Sequence, residues 1–268
     1  MKLFKILAAA GMAVAMTCGS AMAIPTAQTW IPSPDAKGFK EVTVNVINIQ
    51  RFTKNRGNNP SYYDVGVTVG VSPLEKLKLE IGADFLTTNS GSNGHVADDH
   101  PFYFNAKLAT PEDLGFKGMP SIAIGAYNLG LADKPETFGS TRQNIVYGLV
   151  GKTFPVIGRI AAGGYHGSKR ALATAGNPSN TNNNTGLMVS WDRTMSEISD
   201  KLWMGVDYMS GNNANGSLNA GVAWAFSKQI TVLTGVQFFN PFYKTSAADN
   251  NSIPGGKPAF TTQLFFNF

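Results

Sequence analysis

Residues 62–71 read YYDVGVTVGV and alternate strictly between two kinds of side chain. Odd-numbered positions carry Tyr63 and a run of valines, while even-numbered positions carry Tyr62, Asp64, Thr68 and two glycines. A period of two is that of a β-strand whose two faces meet different environments. The stretch therefore predicts a strand with one apolar face and one face of small or polar residues.

The same pattern recurs along the chain. After a turn at residues 72–76, residues 77–85 alternate in the same way and predict a hairpin with one apolar side. Together with weaker segments, the pattern predicts about twelve strands, within a range of about ten to fourteen because short strands have poorly defined ends. The other ten lie at about 41–52, 102–108, 120–128, 142–153, 158–168, 186–192, 202–208, 218–226, 229–239 and 258–268.

Composition supports an all-β protein. The 268 residues have a mean hydropathy of −0.08, which leaves no room for a bundle of membrane helices, since each needs about 20 consecutive apolar residues. The 29 glycines and 17 phenylalanines are unusual for a helical protein, and one cysteine excludes a disulfide framework and a cysteine-based zinc site.

The first residues indicate export. Two lysines precede an apolar run at residues 6–16, and Ala21, Met22 and Ala23 then supply the small residues that signal peptidase recognises. We therefore expect residues 1–23 to be a cleaved signal peptide. Removal of the two lysines leaves 20 basic and 17 acidic groups, a net charge of +3 that is too small to indicate nucleic-acid binding.

Two features favour a membrane barrel over a soluble sandwich. Connections after predicted strands 2, 6 and 10 are tight, whereas most of the others are long and rich in Asn, Gly and Ser, which is typical of outer-membrane barrels. Aromatic residues on the apolar faces also fall near both strand ends, as in two interfacial girdles. One group is Phe52, Tyr63, Phe85, Phe102, Tyr208, Phe238 and Phe260, and the other is Trp191, Trp224, Phe226, Phe266 and Phe268.

The C-terminal residues 260–268 alternate down to a terminal Phe268. This segment resembles the closing strand of Gram-negative outer-membrane β-barrels, in which an aromatic last residue is the signal read by the barrel assembly machinery. The resemblance implies a transmembrane antiparallel up-and-down β-barrel in the outer membrane, with lipids, lipopolysaccharide and the assembly machinery as partners. Twelve-stranded members include small solute channels of the porin type and the outer-membrane phospholipase.

The expected organisation has one folded domain. Residues 41–268 form the barrel, and residues 24–40, which contain three prolines and no alternation, are expected to be an irregular periplasmic segment. The alternative is that this segment enters the lumen as a plug.

The strand face that carries the small and polar residues is expected to face the lumen, because lipid forces every backbone group to bond within a closed sheet. Its mixed charges argue against a strongly ion-selective filter and favour a passive channel for small hydrophilic solutes, without a cofactor. The alternative is an occluded lumen in which the charged residues form salt bridges that serve only stability. The predicted pore-lining residues are Asp64, Lys78, Glu80, Asp84, Tyr103, Asn105, Lys107, Tyr127, Lys152, Arg159, Asp192, Asp207 and Gln237.

A second hypothesis is a lipid hydrolase. His166 and Ser168 are expected on the lipid side near a strand end and resemble the H-x-S core of outer-membrane phospholipases and lipid A deacylases, where histidine activates serine. Those families continue with asparagine, whereas this chain has Lys169, so we predict no catalytic residue. A third hypothesis is a non-conducting structural or surface-binding barrel.

Two further clusters fall in predicted outer loops. Residues 95–100 carry two histidines and two aspartates that could ligate a divalent cation, but a solvated loop explains them better, since a glycine-rich loop does not preorganise ligands, and no metal site is assigned. Arg51, Lys54 and Arg56 could contact lipopolysaccharide phosphates or form a solvated rim.

The first testable prediction concerns export. The intact mass of protein extracted from membranes should correspond to a chain that begins at Ile24, because residues 6–16 are too short to anchor the chain. Persistence of residues 1–23 in that mass would contradict the prediction.

Overall fold

A computed structural model describes residues 27–52, 61–89, 95–130, 143–169, 172, 183–213, 215–242 and 257–268. These residues form one closed antiparallel barrel of twelve strands. The strands are β1 (Val42–Arg51), β2 (Ser61–Gly70), β3 (Lys78–Asn89), β4 (His95–Thr110), β5 (Ser121–Leu129), β6 (Ile145–Phe154), β7 (Gly158–His166), β8 (Thr185–Thr194), β9 (Leu202–Met209), β10 (Ser217–Ala225), β11 (Ile230–Phe239) and β12 (Ala259–Asn267).

Each strand pairs with its neighbours in the chain, and β1 pairs with β12 to close the sheet. The closing register runs from Thr43 opposite Asn267 to Arg51 opposite Ala259. The predicted all-β, up-and-down architecture and the count of twelve strands are confirmed. In the described part of the chain, no helix is long and apolar enough to cross a membrane.

The two faces of each strand differ as the alternation predicts. On β2, Val65 and Val67 point outward and are 47% and 39% exposed, whereas Gly66 and Gly70 face inward and are buried. The barrel thus presents a nearly continuous apolar outer surface. Such a surface is normal for a barrel in lipid and abnormal for a protein in water.

Lys152 departs from the predicted arrangement. It was expected in the lumen, but it shares the outward parity of Val146 and Val150, which are 50% and 46% exposed. Its ammonium lies 3.0 Å from both Glu112 and Asp113, in the connection between β4 and β5. The reason for the error is that β6 is apolar on both faces, so its sequence does not mark which parity faces inward.

The connections at the short-turn end of the barrel, which join each even-numbered strand to the next strand, differ in length. Residues 155–157 join β6 to β7 in a tight turn, where Val156 and Gly158 have φ values of 68° and 96°. The longer connection at residues 111–120 is ordered by Glu112, whose carboxylate accepts hydrogen bonds from Thr153. Residues 95–100, predicted in a loop, are instead the first residues of β4; the side chains of that cluster lie outside the described part.

The twelve aromatic residues predicted near the two strand ends all lie on the outward parity. Near the long-loop end, Phe85 and Phe102 face each other across β3 and β4 with ring centroids 5.3 Å apart. Near the opposite end, the Trp191 indole donates a 2.7 Å hydrogen bond to the Ile157 carbonyl. The full set is Phe52, Tyr63, Phe85, Phe102, Trp191, Tyr208, Trp224, Phe226, Phe238, Phe260, Phe266 and Phe268.

A charge on the outer surface should impair assembly. Val67→Arg should lower folding into lipid vesicles, because a lipid-facing arginine at mid-membrane costs about 2–4 kcal/mol. The matched control is Leu74→Arg, since Leu74 is 59% exposed in the turn between β2 and β3. The measurement is the fraction of protein with the gel mobility of an unheated, folded barrel. Equal folding of the two variants would mean that Val67 does not face lipid.

Candidate functional site

The N-terminal segment at residues 27–37 lies inside the barrel. It was expected in the periplasm, with the lumen as the alternative, and the structure has the alternative. Ala27 forms an antiparallel bridge with Pro32, and the Gln28 amide donates a 2.7 Å hydrogen bond to the Ile31 carbonyl. Ile31 is 1% exposed and Ser33 is fully buried. We call residues 27–37 the lumen segment.

Three strands hold the tip of the lumen segment. Gln28 Nε2 donates a 2.9 Å hydrogen bond to Asp192 on β8, and the Trp30 amide donates a 2.8 Å hydrogen bond to Asp207 on β9. Gln263 on β12 donates to the Thr29 carbonyl at 2.9 Å. Because these carboxylates accept bonds from the lumen segment, they line its binding surface.

The base of the lumen segment contacts the wall near the short-turn end. Glu80 accepts a 2.8 Å hydrogen bond from the Lys37 amide and forms a 3.1 Å ion pair with Lys107. Lys107 also donates to the Ser33 carbonyl at 3.3 Å. Arg159 forms an ion pair with Asp35 of the segment. Backbone and charged groups therefore fasten this end, together with an apolar contact between Ala36 and the wall residues Ala109 and Ala123.

Asp192 is a lumen carboxylate that accepts hydrogen bonds from several side chains, and it is 5% exposed. Its two oxygens accept hydrogen bonds from Arg159 at 2.9 and 3.2 Å, and from the Trp203 indole at 3.2 Å. Together with Gln28, these donors join the wall to the lumen segment through one buried carboxylate.

An apolar cluster packs against Ile31 on the side of β6 to β9. The strand pattern did not reveal it, because the inward face was expected to be polar throughout. A signal was present in residues 145–150, IVYGLV, where apolar residues occupy both parities. The cluster comprises Ile31, Ile145, Tyr147, Leu149, Tyr165, Leu172, Met188 and Met209, with Trp30 and Tyr127 against it.

A buried amide network lies at the long-loop end of the lumen. Gln143 and Asn215 share hydrogen bonds of 2.8 and 2.5 Å, and Asn213 donates to the Tyr165 hydroxyl at 2.7 Å. Asn240 donates to the Asn213 carbonyl at 2.9 Å. Side chains from three connections thus tie this end together, an arrangement that Asn-rich loop sequences do not specify.

The wall formed by β2, β3 and β4 is different, because some of its inward side chains keep some exposure, although Glu80, Tyr103 and Lys107 are buried. Asp64, Asp84 and Asn105 are partly exposed there. Asn45 donates to Asp64 at 3.3 Å, and Asn105 donates to Asp84 at 2.7 Å. The lumen therefore has a filled side, on β6 to β9, and a more accessible side, on β2 to β4.

Apart from Lys152, the residues predicted to line the pore lie on the inward parity. The structure divides them between the two sides of the lumen, and several contact the lumen segment. They are Asp64, Lys78, Glu80, Asp84, Tyr103, Asn105, Lys107, Tyr127, Arg159, Asp192, Asp207 and Gln237.

The hydrolase motif lies at the outward rim. His166 Nδ1 is 2.8 Å from the Thr185 hydroxyl, and the Ser168 amide donates to the Gln143 carbonyl. Arg51, expected in an outer loop, faces inward instead: it donates to the Lys257 carbonyl at 2.7 Å. Lys54 and Arg56 lie outside the described residues.

No protein-family model and no curated protein matches the chain. Solved structures match with little identity. Salmonella typhi OmpF in complex with daunomycin is 10% identical over 85% of this chain and 96% of that chain, with a TM-score of 0.39. A mutant porin of Rh. blastica is 8% identical over 85% and 99%, with a TM-score of 0.38. An engineered protein described for asymmetric conductivity is 8% identical over the same shares, with a TM-score of 0.39. TM-scores this low do not establish a common fold, so the assignment as a barrel rests on the strand pairing of this chain.

Asp192→Asn should destabilise the barrel. The substitution removes one of the two carboxylates around the buried Arg159 guanidinium, and breaking a buried ion pair costs about 3 kcal/mol. Glu197→Gln is the matched control, because Glu197 pairs with Arg193 at an exposed position where the pair contributes about 0.5 kcal/mol or less. Urea unfolding in vesicles measures both changes. Equal losses in the two variants would contradict a central role for Asp192.

Proposed function

We propose that the protein is an outer-membrane channel for small hydrophilic solutes that its own lumen segment closes. The observation that carries the proposal is that residues 27–37 occupy the lumen through hydrogen bonds to wall carboxylates, chiefly Asp192, Asp207 and Glu80. Water can replace each of these bonds, although a hydrogen bond to a charged group contributes about 1.5–3 kcal/mol. A segment held in this way can leave the lumen without disrupting the sheet.

The outward surface supports a location in lipid. Exposed apolar residues cover the strands, and aromatic residues stand at both ends of the barrel. We infer a Gram-negative outer membrane, with lipids and lipopolysaccharide around the barrel and assembly machinery that reads Phe268. The predicted signal peptide at residues 1–23 and the alternating aromatic residues of β12 support this inference.

The closed lumen leaves several buried polar atoms without a protein partner. Gln237 is fully buried, and neither its Nε2 nor its Oε1 has a hydrogen-bond partner among the described residues; the same holds for Thr231 Oγ1. On the lumen segment, Gln28 Oε1 and Thr29 Oγ1 are in the same state. Each such group costs about 1–3 kcal/mol when it is cut off from water. Departure of the segment would hydrate them, which lowers the free energy of opening.

The second candidate is a non-conducting barrel. The apolar cluster around Ile31 favours it, because Leu149, Met188 and Met209 would become exposed to water if the segment left. Burial of a side chain of this type is worth about 1.5–3 kcal/mol. Conductance distinguishes the two candidates.

The test is a reversible lock on the lumen segment. A Cβ at Gly151 would lie 3.2 Å from Pro34 Cβ, close to the separation of about 3.5–4.5 Å in a disulfide. Pro34→Cys combined with Gly151→Cys should therefore form a crosslink, and the predicted mature chain has no other cysteine. In planar bilayers the reduced variant should conduct in steps and the oxidised variant should not.

Two controls make the lock informative. The single variant Pro34→Cys should conduct equally with and without oxidant. If the first pair folds poorly, Thr29→Cys with Gly221→Cys replaces it, because a Cβ at Gly221 would lie 3.2 Å from Thr29 Cγ2. Conduction through the crosslinked protein would show that the segment does not gate. Silence in the wild type and in a variant lacking residues 27–37 would favour the non-conducting barrel.

A further inference from the structure

Four polar side chains on neighbouring strands lie on the accessible side of the lumen. They are Asn45 on β1, Asp64 on β2, Asp84 on β3 and Asn105 on β4. Each aspartate accepts a hydrogen bond from one asparagine through Oδ2, at 3.3 Å for Asp64 and 2.7 Å for Asp84. These bonds orient the asparagine amide groups and leave Oδ1 of each aspartate out of them.

Among the described residues, the Oδ1 atom of Asp64 is buried and has no hydrogen-bond partner. Neither Asp64 nor Asp84 forms an ion pair with a described side chain, and the nearby lumen cations are engaged elsewhere. Lys107 pairs with Glu80, and Lys37 Nζ donates to Thr43. Because a buried carboxylate oxygen without a donor is costly, a cation from outside the chain would stabilise this atom.

Two glycines leave room for these oxygen atoms against the backbone. A Cβ at Gly66 would collide with Asp84 Oδ1 and would lie 2.6 Å from Asn45 Oδ1. A Cβ at Gly82 would lie 2.6 Å from Asn105 Oδ1. Because these oxygens occupy the space of absent side chains, carboxylate and amide oxygens converge over bare backbone. The absence of a Cβ at both positions is therefore required by the cluster.

We propose that Asp64, Asp84, Asn45 and Asn105 bind a calcium ion in the lumen. Calcium takes six to eight oxygen ligands, including carboxylates, amide carbonyls and water, and tolerates irregular geometry. Two carboxylates balance its charge, and the partial exposure of Asp84 and Asn105 leaves a path for the ion and its remaining water ligands. Magnesium demands near-ideal octahedral geometry, which oxygens from four separate strands do not readily supply.

The experiment measures thermal unfolding of the folded mature chain in lipopolysaccharide-free detergent micelles. CaCl2, MgCl2 and NaCl are compared at matched ionic strength against a chelator. The Tm of the wild type should rise by about 5 °C in CaCl2 at concentrations well above Kd, because a ligand that binds the folded state stabilises it. MgCl2 and NaCl should have much smaller effects. An equal rise in MgCl2, or none in CaCl2, would overturn the assignment.

Isosteric variants separate binding from folding. With chelator, Asp84→Asn should unfold at a higher temperature than the wild type, because one of two neighbouring negative charges is gone. In CaCl2 the order should reverse, because the variant has lost a ligand. Asp200→Asn, at an exposed position in the connection between β8 and β9, is the matched control and should keep the full calcium response.

Direct titration with CaCl2 by calorimetry gives the second readout. The wild type and Asp200→Asn should bind one ion per chain, and Asp64→Asn should weaken binding at least tenfold. Equal affinity in Asp64→Asn and the wild type would place the ion elsewhere and overturn the proposal. Because neither readout depends on conduction, failure of calcium binding leaves the channel proposal intact, and failure of conduction leaves the calcium site intact.

Discussion

Pairing of β1 with β12 is the interaction on which the rest of the structure depends. An open sheet has two edges of unpaired amide and carbonyl groups, which lipid cannot satisfy. Closure removes both edges and turns the alternation of side chains into an outside and an inside. The valines of β2 then cover the outer surface, and Asp64 on the same strand is carried into the lumen. The positions of the outward aromatic residues and of the inward carboxylates both follow from that division.

The carboxylates of the lumen differ in the partners that compensate their burial. Asp192 and Asp207 accept hydrogen bonds from the lumen segment, and Glu80 combines such a bond with an ion pair to Lys107. These groups compensate their own burial and fasten the segment with the same atoms. Asp64 and Asp84 lie at mid-strand on β2 and β3, farther from the short-turn end than Glu80, and bond to asparagine amides alone among the described residues. This difference in partners underlies the two proposals, that one part of the lumen holds a segment of the chain and that another part binds a cation.

The two proposals therefore concern separate parts of one lumen. Gating depends on residues 27–37, which contact β8, β9 and β12 and the short-turn ends of β3, β4 and β7. Calcium binding depends on mid-strand residues of β1 to β4. A bound cation would also neutralise two of the lumen carboxylates. It would thus alter the electrostatic field along any path that opens on that side of the barrel.

The sequence by itself determined the barrel, because a period of two is a local property that each strand carries in its own residues. It predicted the twelve strands, the outward aromatic residues, and the inward position of Asp64, Asp84 and Asp192 from neighbours two residues away. It failed at Lys152, where β6 is apolar on both faces and parity has no local signature. The occupancy of the lumen was decided by the tertiary structure alone. Whether Asp192 meets water, Arg159 or Gln28 depends on residues up to 164 positions apart in the chain, which closure of the sheet brings together. No period in a sequence records such contacts.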